Sequence, residues 1–209
     1  MIIMAEDFNS VAGLGSIEQV IEKSKFIALV APVRDMDEVE KHMKDTRRTF
    51  PNARHYVYAY RLYRNRMEKA SDDGEPQGTG GRPVLDLLQH RQIWDAQIIV
   101  VRYFGGVLLG TGGLARAYRG TALLALDKVG IAKYAPHVLY TIYTTYPWYE
   151  QIKYGIRQKG WEIDKEIFEE KVSLNIYIPV EEDLIFEKWI DELTNKQVSR
   201  EREGIVLRA

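Results

Sequence analysis

Ile98-Ile99-Val100-Val101-Arg102-Tyr103-Phe104-Gly105-Gly106 is followed two residues later by Leu109-Gly110-Thr111-Gly112-Gly113-Leu114-Ala115-Arg116-Ala117-Tyr118-Arg119-Gly120. An apolar run of strand length enters a segment with six glycines in the sixteen residues 105–120. A helical spacing of Leu114, Tyr118, Thr121, Ala125 and Val129 leaves it. Strand, glycine loop and helix in this order predict mixed α and β structure. Arg102, Arg116 and Arg119 lie in the segment, and no carboxylate stands between Asp95 and Asp127. Backbone without Cβ atoms admits a ligand closely, and a helix start offers unpaired N–H donors with partial positive charge. The pattern points to an anion, with phosphate the best chemical match.

The same device occurs twice. Gly78-Thr79-Gly80-Gly81 echoes Gly110-Thr111-Gly112-Gly113, and Arg82-Pro83 follows the first as Arg116 follows the second. Proline suits a first helical position. Two helix starts are therefore expected to converge on one polyanion, against the plainer reading that the glycines only make tight turns and close helix–sheet contacts.

Around this centre, residues 25–31 form a nearly continuous apolar run, predicting a strand. Asp35-Met36-Asp37-Glu38 resembles a capping box, predicting a helix with Met36, Val39 and Met43 on one face. From His55 to Arg61 the chain alternates, with His55, Val57 and Ala59 on one side and Tyr56, Tyr58 and Tyr60 on the other. The tyrosine stripe is read as sheet face covered by a helix in preference to a base-stacking platform. Ser71-Asp72-Asp73-Gly74-Glu75-Pro76 is dense in turn formers and predicts an exposed loop.

The remaining sequence is read as βαββαβ. Residues 138–143 predict a strand, Pro147 opens a helix carrying Trp148, Ile152 and Ile156, and Gly160 stops it. Residues 161–168 and 171–178 predict paired strands. A helix with Ile185, Trp189 and Leu193 follows, and residues 197–207 close as a last strand. This order is that of a ferredoxin-like sandwich. Residues 1–134 carry 19 Lys+Arg against 16 Asp+Glu, a balance of +3, whereas residues 135–209 carry 10 against 14, a balance of −4. With Val129-Gly130 as a helix stop and Ala135-Pro136 just beyond, the expected domains are 1–134 and 135–209. The fold class expected is α+β in two domains.

Composition bounds the rest. With 209 residues, 45% of them hydrophobic, the chain buries a sizeable core. The charge-free stretch 135–149 is broken by prolines and threonines and does not suit a bilayer span, so no membrane partner is expected. The N-terminus lacks a basic-then-apolar signal pattern. There is no cysteine, which suits a cytoplasmic location and removes disulfides and thiolate chemistry. His42, His55, His90 and His137 show no ligand spacing, so no metal or cofactor is expected. Asp72, Asp73 and Glu75 are weighed as Mg²⁺ ligands and read instead as a solvated turn. His55 beside Ser71 or Ser24 lacks an orienting third group, so no catalytic residue is assigned.

Ser24-Lys25-Phe26, the run from Ala53 to Tyr60, Ser71-Asp72-Asp73-Gly74-Glu75-Pro76-Gln77-Gly78-Thr79-Gly80-Gly81-Arg82-Pro83 and the segment from Val101 to Tyr118 together resemble the YigZ/IMPACT family. The resemblance covers about the first 130 residues. It implies a first domain of the type shared by domain four of elongation factor G, a ribosomal small-subunit protein and GHMP kinases, and a second domain similar to elongation factor G domain five. It further implies a link to translation, since eukaryotic relatives regulate translation under amino-acid stress through protein partners. Two departures stand out: Gly80 replaces a frequent alanine, and Leu108 replaces a frequent lysine, removing one cation from the anion site.

The function expected is a non-enzymatic, translation-linked regulatory module that binds RNA, the ribosome or another polyanionic surface. Arg82, Arg102, Tyr103, Phe104, Gly105, Gly106, Gly110, Thr111, Gly112, Gly113, Arg116 and Arg119 form the expected binding set. His55, Ser71, Asp72, Asp73, Gly78 and Thr79 are secondary candidates. The alternatives are a phosphoryl-transfer or nucleotide-hydrolysing enzyme similar to GHMP kinases, and a purely protein-binding regulator.

Overall fold

The computed structural model describes residues 7–208, which divide into two compact units, Phe8–Lys133 and the part from Tyr134 onward. Both mix helix and strand, and the fold is α+β. The N-terminal unit runs β1 (Phe8–Val11), β2 (Gly15–Ile21), β3 (Ser24–Pro32), α1 (Met36–Thr49), β4 (His55–Leu62), β5 (Met67–Ser71), α2 (Gly81–His90), β6 (Ala96–Tyr103) and α3 (Gly110–Val129). Its sheet is antiparallel in the order β2-β3-β6-β4-β5.

Alternation assigns the two faces of that sheet. Phe26, Ala28, Val30, Val57, Ala59, Ile98 and Val100 pack under α2 and α3 around fully buried Tyr118, Leu88 and Leu126. Tyr56, Tyr60, Ile27, Ile99 and Val101 point to the other face, where Val39, Met36 and Met43 of α1 meet them. The tyrosine stripe is therefore mostly core: Tyr56 and Tyr60 are buried and Tyr58 half-buried. α1 starts with half of the expected capping box, the Asp35 carboxylate accepting from the Glu38 N–H at 2.9 Å, while the Glu38 carboxylate accepts at 2.8 Å from the N–H of Arg34, one residue before the N-cap.

A long strand, β7 (Ile131–Thr144), continues straight through Ala135-Pro136, and its first three residues belong to the N-terminal unit. β1 also pairs with it. The C-terminal unit adds α4 (Tyr146–Gln158), β8 (Glu162–Phe168), β9 (Val172–Pro179), α5 (Asp183–Thr194) and β10 (Ser199–Arg208). The antiparallel order β10-β7-β9-β8 is that of a ferredoxin-like sheet, with Val138, Tyr140, Ile142, Leu174, Ile176 and Ile178 facing the helices. One face differs from expectation. α5 buries Phe186, Ile190 and Thr194, one position on from Ile185, Trp189 and Leu193, and Ile185 is exposed. The ring of Phe186 fits between Tyr140 and Trp161, and that aromatic packing sets the helix rotation.

Candidate functional site

A cleft of about 420 Å³ opens where the end of β6, the loop before α2 and the start of α3 meet. Its polar side is His55, Glu75 and Arg102, and its apolar side includes Phe104, Leu109 and Leu114. Gly105 explains why these parts fit. The chain passes β3 there so closely that a Cβ would overlap the Lys23 carbonyl, and the Gly105 N–H donates to Ser24 Oγ at 3.1 Å. Gly106 turns the chain with φ +85°, and Gly110 has φ +69° with open space around it.

Beneath the cleft lies a buried polar network. Arg102 Nη1 donates to Glu75 Oε1 at 2.6 Å and Arg102 Nη2 to Ser24 Oγ at 3.3 Å. Tyr118 Oη donates to the same Glu75 oxygen at 2.8 Å, and His55 Nε2 stands 3.7 Å from it. The Arg102 and Glu75 side chains are only 6% and 4% exposed. Burial, reinforced by the hydrogen bond to Glu75, raises the Tyr118 hydroxyl above its ordinary value, so it stays a donor. His55 Nδ1 donates to the Asp73 carbonyl at 2.8 Å, which leaves Nε2 toward Glu75.

Two expectations are corrected here. Arg102, expected in the binding set with Arg116 and Arg119, has a buried guanidinium whose charge is matched by Glu75. The segment 71–76 is not a solvated turn. Three carboxylates fold it inward: Asp73 accepts from the Tyr56 N–H at 2.7 Å and pairs with Arg47 at 3.2 Å, Glu75 holds Arg102, and Asp72 takes the amides of the glycines that follow. With those carboxylates engaged, no group of three or more His, Asp or Glu side chains is placed to hold a metal ion among the described residues.

The paired glycine segments differ in their partners. In the first, the N–H groups of Gly78, Gly80 and Gly81 all donate to the Asp72 carboxylate at 2.8 Å, and Thr79 Oγ1 donates to the Pro76 carbonyl. The anion at the start of α2 is the protein's own. In the second, the helix begins at Gly110, so Thr111, Gly112 and Gly113 form its first turn instead of preceding it. Leu109 supplies no side-chain cap, and the first turn holds no acidic residue. Arg116 folds back over that turn, its Nη1 3.5 Å from where a Gly112 Cβ would stand.

The other candidates are distributed around this start. Phe104 is 47% exposed at the cleft, and Leu108 beside it is 87% exposed. Tyr103 lies outside the lining and donates to the Pro51 carbonyl at 3.0 Å. Arg82 is exposed and paired with Asp86 at 2.7 Å, while Ser71 Oγ accepts from the Asp73 N–H. Arg54, Arg116 and Arg119 are exposed. Arg54 lines the cleft, and Tyr118 completes the network beneath it; sequence reading assigned neither to the site. A tyrosine on the inward face of an apolar helix needs a hydroxyl partner, which was the available signal for Tyr118.

Comparison with known proteins agrees with this arrangement of segments. The Impact N-terminal domain matches residues 22–126, and a domain of unknown function, DUF1949, matches residues 144–197. The IMPACT family member YvyE of Bacillus subtilis is 33% identical over 193 residues, covering 92% of this chain and 89% of its own. The IMPACT family member YigZ of Escherichia coli is 31% identical, covering 78% and 82%. Protein IMPACT of Rattus norvegicus is 34% identical over 94 residues, only 29% of its length. A crystal structure described as that of an hypothetical protein superposes with a TM-score of 0.63 at 27% identity, over 96% of this chain and 98% of its own. No helix of the described residues is long and apolar enough to cross a membrane. With the matched domain spanning the glycine loops, the buried Glu75–Arg102 pair and the start of α3, the chain belongs to the IMPACT family.

Proposed function

We propose that this protein is a translation-linked regulatory module that binds RNA or a ribosomal surface at the start of α3. The observation that carries the reading is the uncapped helix start of Gly110, Thr111, Gly112 and Gly113, with the Arg116 guanidinium folded over it and Arg54 across the cleft. Helix-start amides and arginines stabilise a phosphate by about 0.3–1 kcal/mol per contact at exposed sites. Arg119, three residues on from Arg116, extends the cationic face along the helix. Gly78, Thr79, Gly80 and Gly81 serve the site indirectly, by holding the loop that carries Glu75. The link to translation comes from membership of the IMPACT family.

Binding of a labelled single-stranded RNA by anisotropy, and co-sedimentation with ribosomes, test this at a series of salt concentrations. Affinity should fall linearly on a log–log plot against salt. Absence of binding at low salt would overturn the reading in favour of a protein-binding regulator. Stabilisation by Mg²⁺–ATP together with nucleotide turnover would favour the enzyme alternative.

A further inference from the structure

We propose that the cleft takes one ribonucleotide of the bound strand, with the base on Phe104, the phosphate at the start of α3 and the ribose hydroxyls on Glu75. This rests on the polyanion reading above and adds the unit recognised and a preference for ribose over deoxyribose.

Glu75 carries the argument. Arg102, Tyr118 and His55 all approach Oε1, and Oε2 accepts no hydrogen bond from the described residues. The side chain is 4% exposed and lines the cleft. Oε2 is not among the buried unpartnered atoms, so it meets the solvent of the cleft with lone pairs open to a donor. A phosphate is excluded from it by like charge, whereas a hydroxyl is accepted, as acidic residues accept the ribose hydroxyls of dinucleotides. Glu75 therefore gives the cleft an end for a neutral donor, distinct from the end where the α3 amides favour an anion.

Phe104 supplies the third feature. Half of its surface is exposed beside a charged floor, and the Arg102 guanidinium carbon lies 5.4 Å from its ring centroid. Leu108, almost wholly exposed, widens the apolar rim. An exposed aromatic face next to a cationic groove is how single strands are held by stacking without regard to base identity. The cleft volume of about 420 Å³ lies in the range of small-ligand sites, roughly 300–1,000 Å³. Stacking surface, hydroxyl acceptor and anion end thus occupy one cleft, and the 2′-hydroxyl is the group that distinguishes RNA from DNA.

The test compares a labelled oligoriboadenylate with the matching oligodeoxyadenylate at one low salt concentration, with adenosine and 2′-deoxyadenosine as competitors. The unsubstituted protein should bind the ribo-oligomer about tenfold more tightly, and adenosine should compete better than its deoxy analogue. Glu75→Gln should remove that preference. Phe104→Ala, on an exposed side chain, should weaken both oligomers by about fivefold or more while keeping their ratio. Where Glu75→Gln does not fold, the ribose comparison in the unsubstituted protein and the Phe104 variant decide. Equal binding of both oligomers, or an unaffected Phe104→Ala protein, overturns the ribonucleotide cleft and leaves the polyanion reading standing. Failure of both oligomers to bind overturns both readings.

Discussion

The buried Arg102 guanidinium donates to Glu75 Oε1 at 2.6 Å. At the end of an apolar strand next to glycines it reads as a ligand-facing cation, because a guanidinium in that company has no visible local partner. Its partner is Glu75, twenty-seven residues earlier and inside a run that reads as a solvated turn. No local pattern connects the two; only the register that lays β6 beside β4, and so brings Arg102 opposite His55, does. The pair is almost fully buried, and removing one member of such a pair leaves an uncompensated charge. Glu75→Ala should therefore cost about 3–5 kcal/mol of unfolding free energy in urea denaturation. Tyr118→Phe, which removes one donor and no charge, should cost only about 1 kcal/mol. A Glu75→Ala protein as stable as the parent would mean that Arg102 finds water or another acceptor.

At the level of elements, the repetition of a glycine-rich tetrapeptide is plain in the sequence, but the difference between its two copies is not. The carboxylate that caps α2 sits in the preceding loop, and whether it reaches Gly78, Gly80 and Gly81 depends on the turn at Asp73 and Gly74, both at positive φ. The first copy is internally satisfied, whereas the second has no side-chain cap and no acidic residue in its first turn. Helix positions were legible from spacing, yet the first turn of α3 reaches back to Gly110 because no side chain is needed to start it. The rotation of α5 was hidden for a different reason, since Ile185 and Phe186 are both apolar and only packing chooses between them. Asp72→Ala should destabilise the protein by about 2 kcal/mol, the upper part of the range for a helix cap, because three N–H groups lose one acceptor. Asp72→Asn should recover part of that loss. Urea unfolding of the two variants checks the order, and equal stability of Asp72→Ala and parent would show water to be an adequate cap.

For the whole molecule, the two-part organisation and the ferredoxin-like strand order were legible because each strand and helix of the C-terminal part has its own clean periodicity. The opposite net charges of the two halves, +3 over residues 1–134 and −4 over residues 135–209, were legible by counting alone. Their consequence for binding is quantitative. If phosphate contacts come from the N-terminal unit, replacing Arg116 and Arg119 with alanine removes two of them, and the slope of log affinity against log salt becomes shallower by roughly 1.4–1.8, at about 0.7–0.9 per contact. Lys188→Ala with Lys196→Ala removes the same charge from the C-terminal unit, where Lys188 and Lys196 are exposed. That pair should lower affinity slightly through the global field while leaving the slope unchanged, because the slope counts released counterions and not net charge. A salt series on parent and both double variants against one RNA decides the matter. An equal change of slope in the two variants would mean that the strand runs over both units, and the C-terminal unit would then be part of the binding surface despite its negative balance.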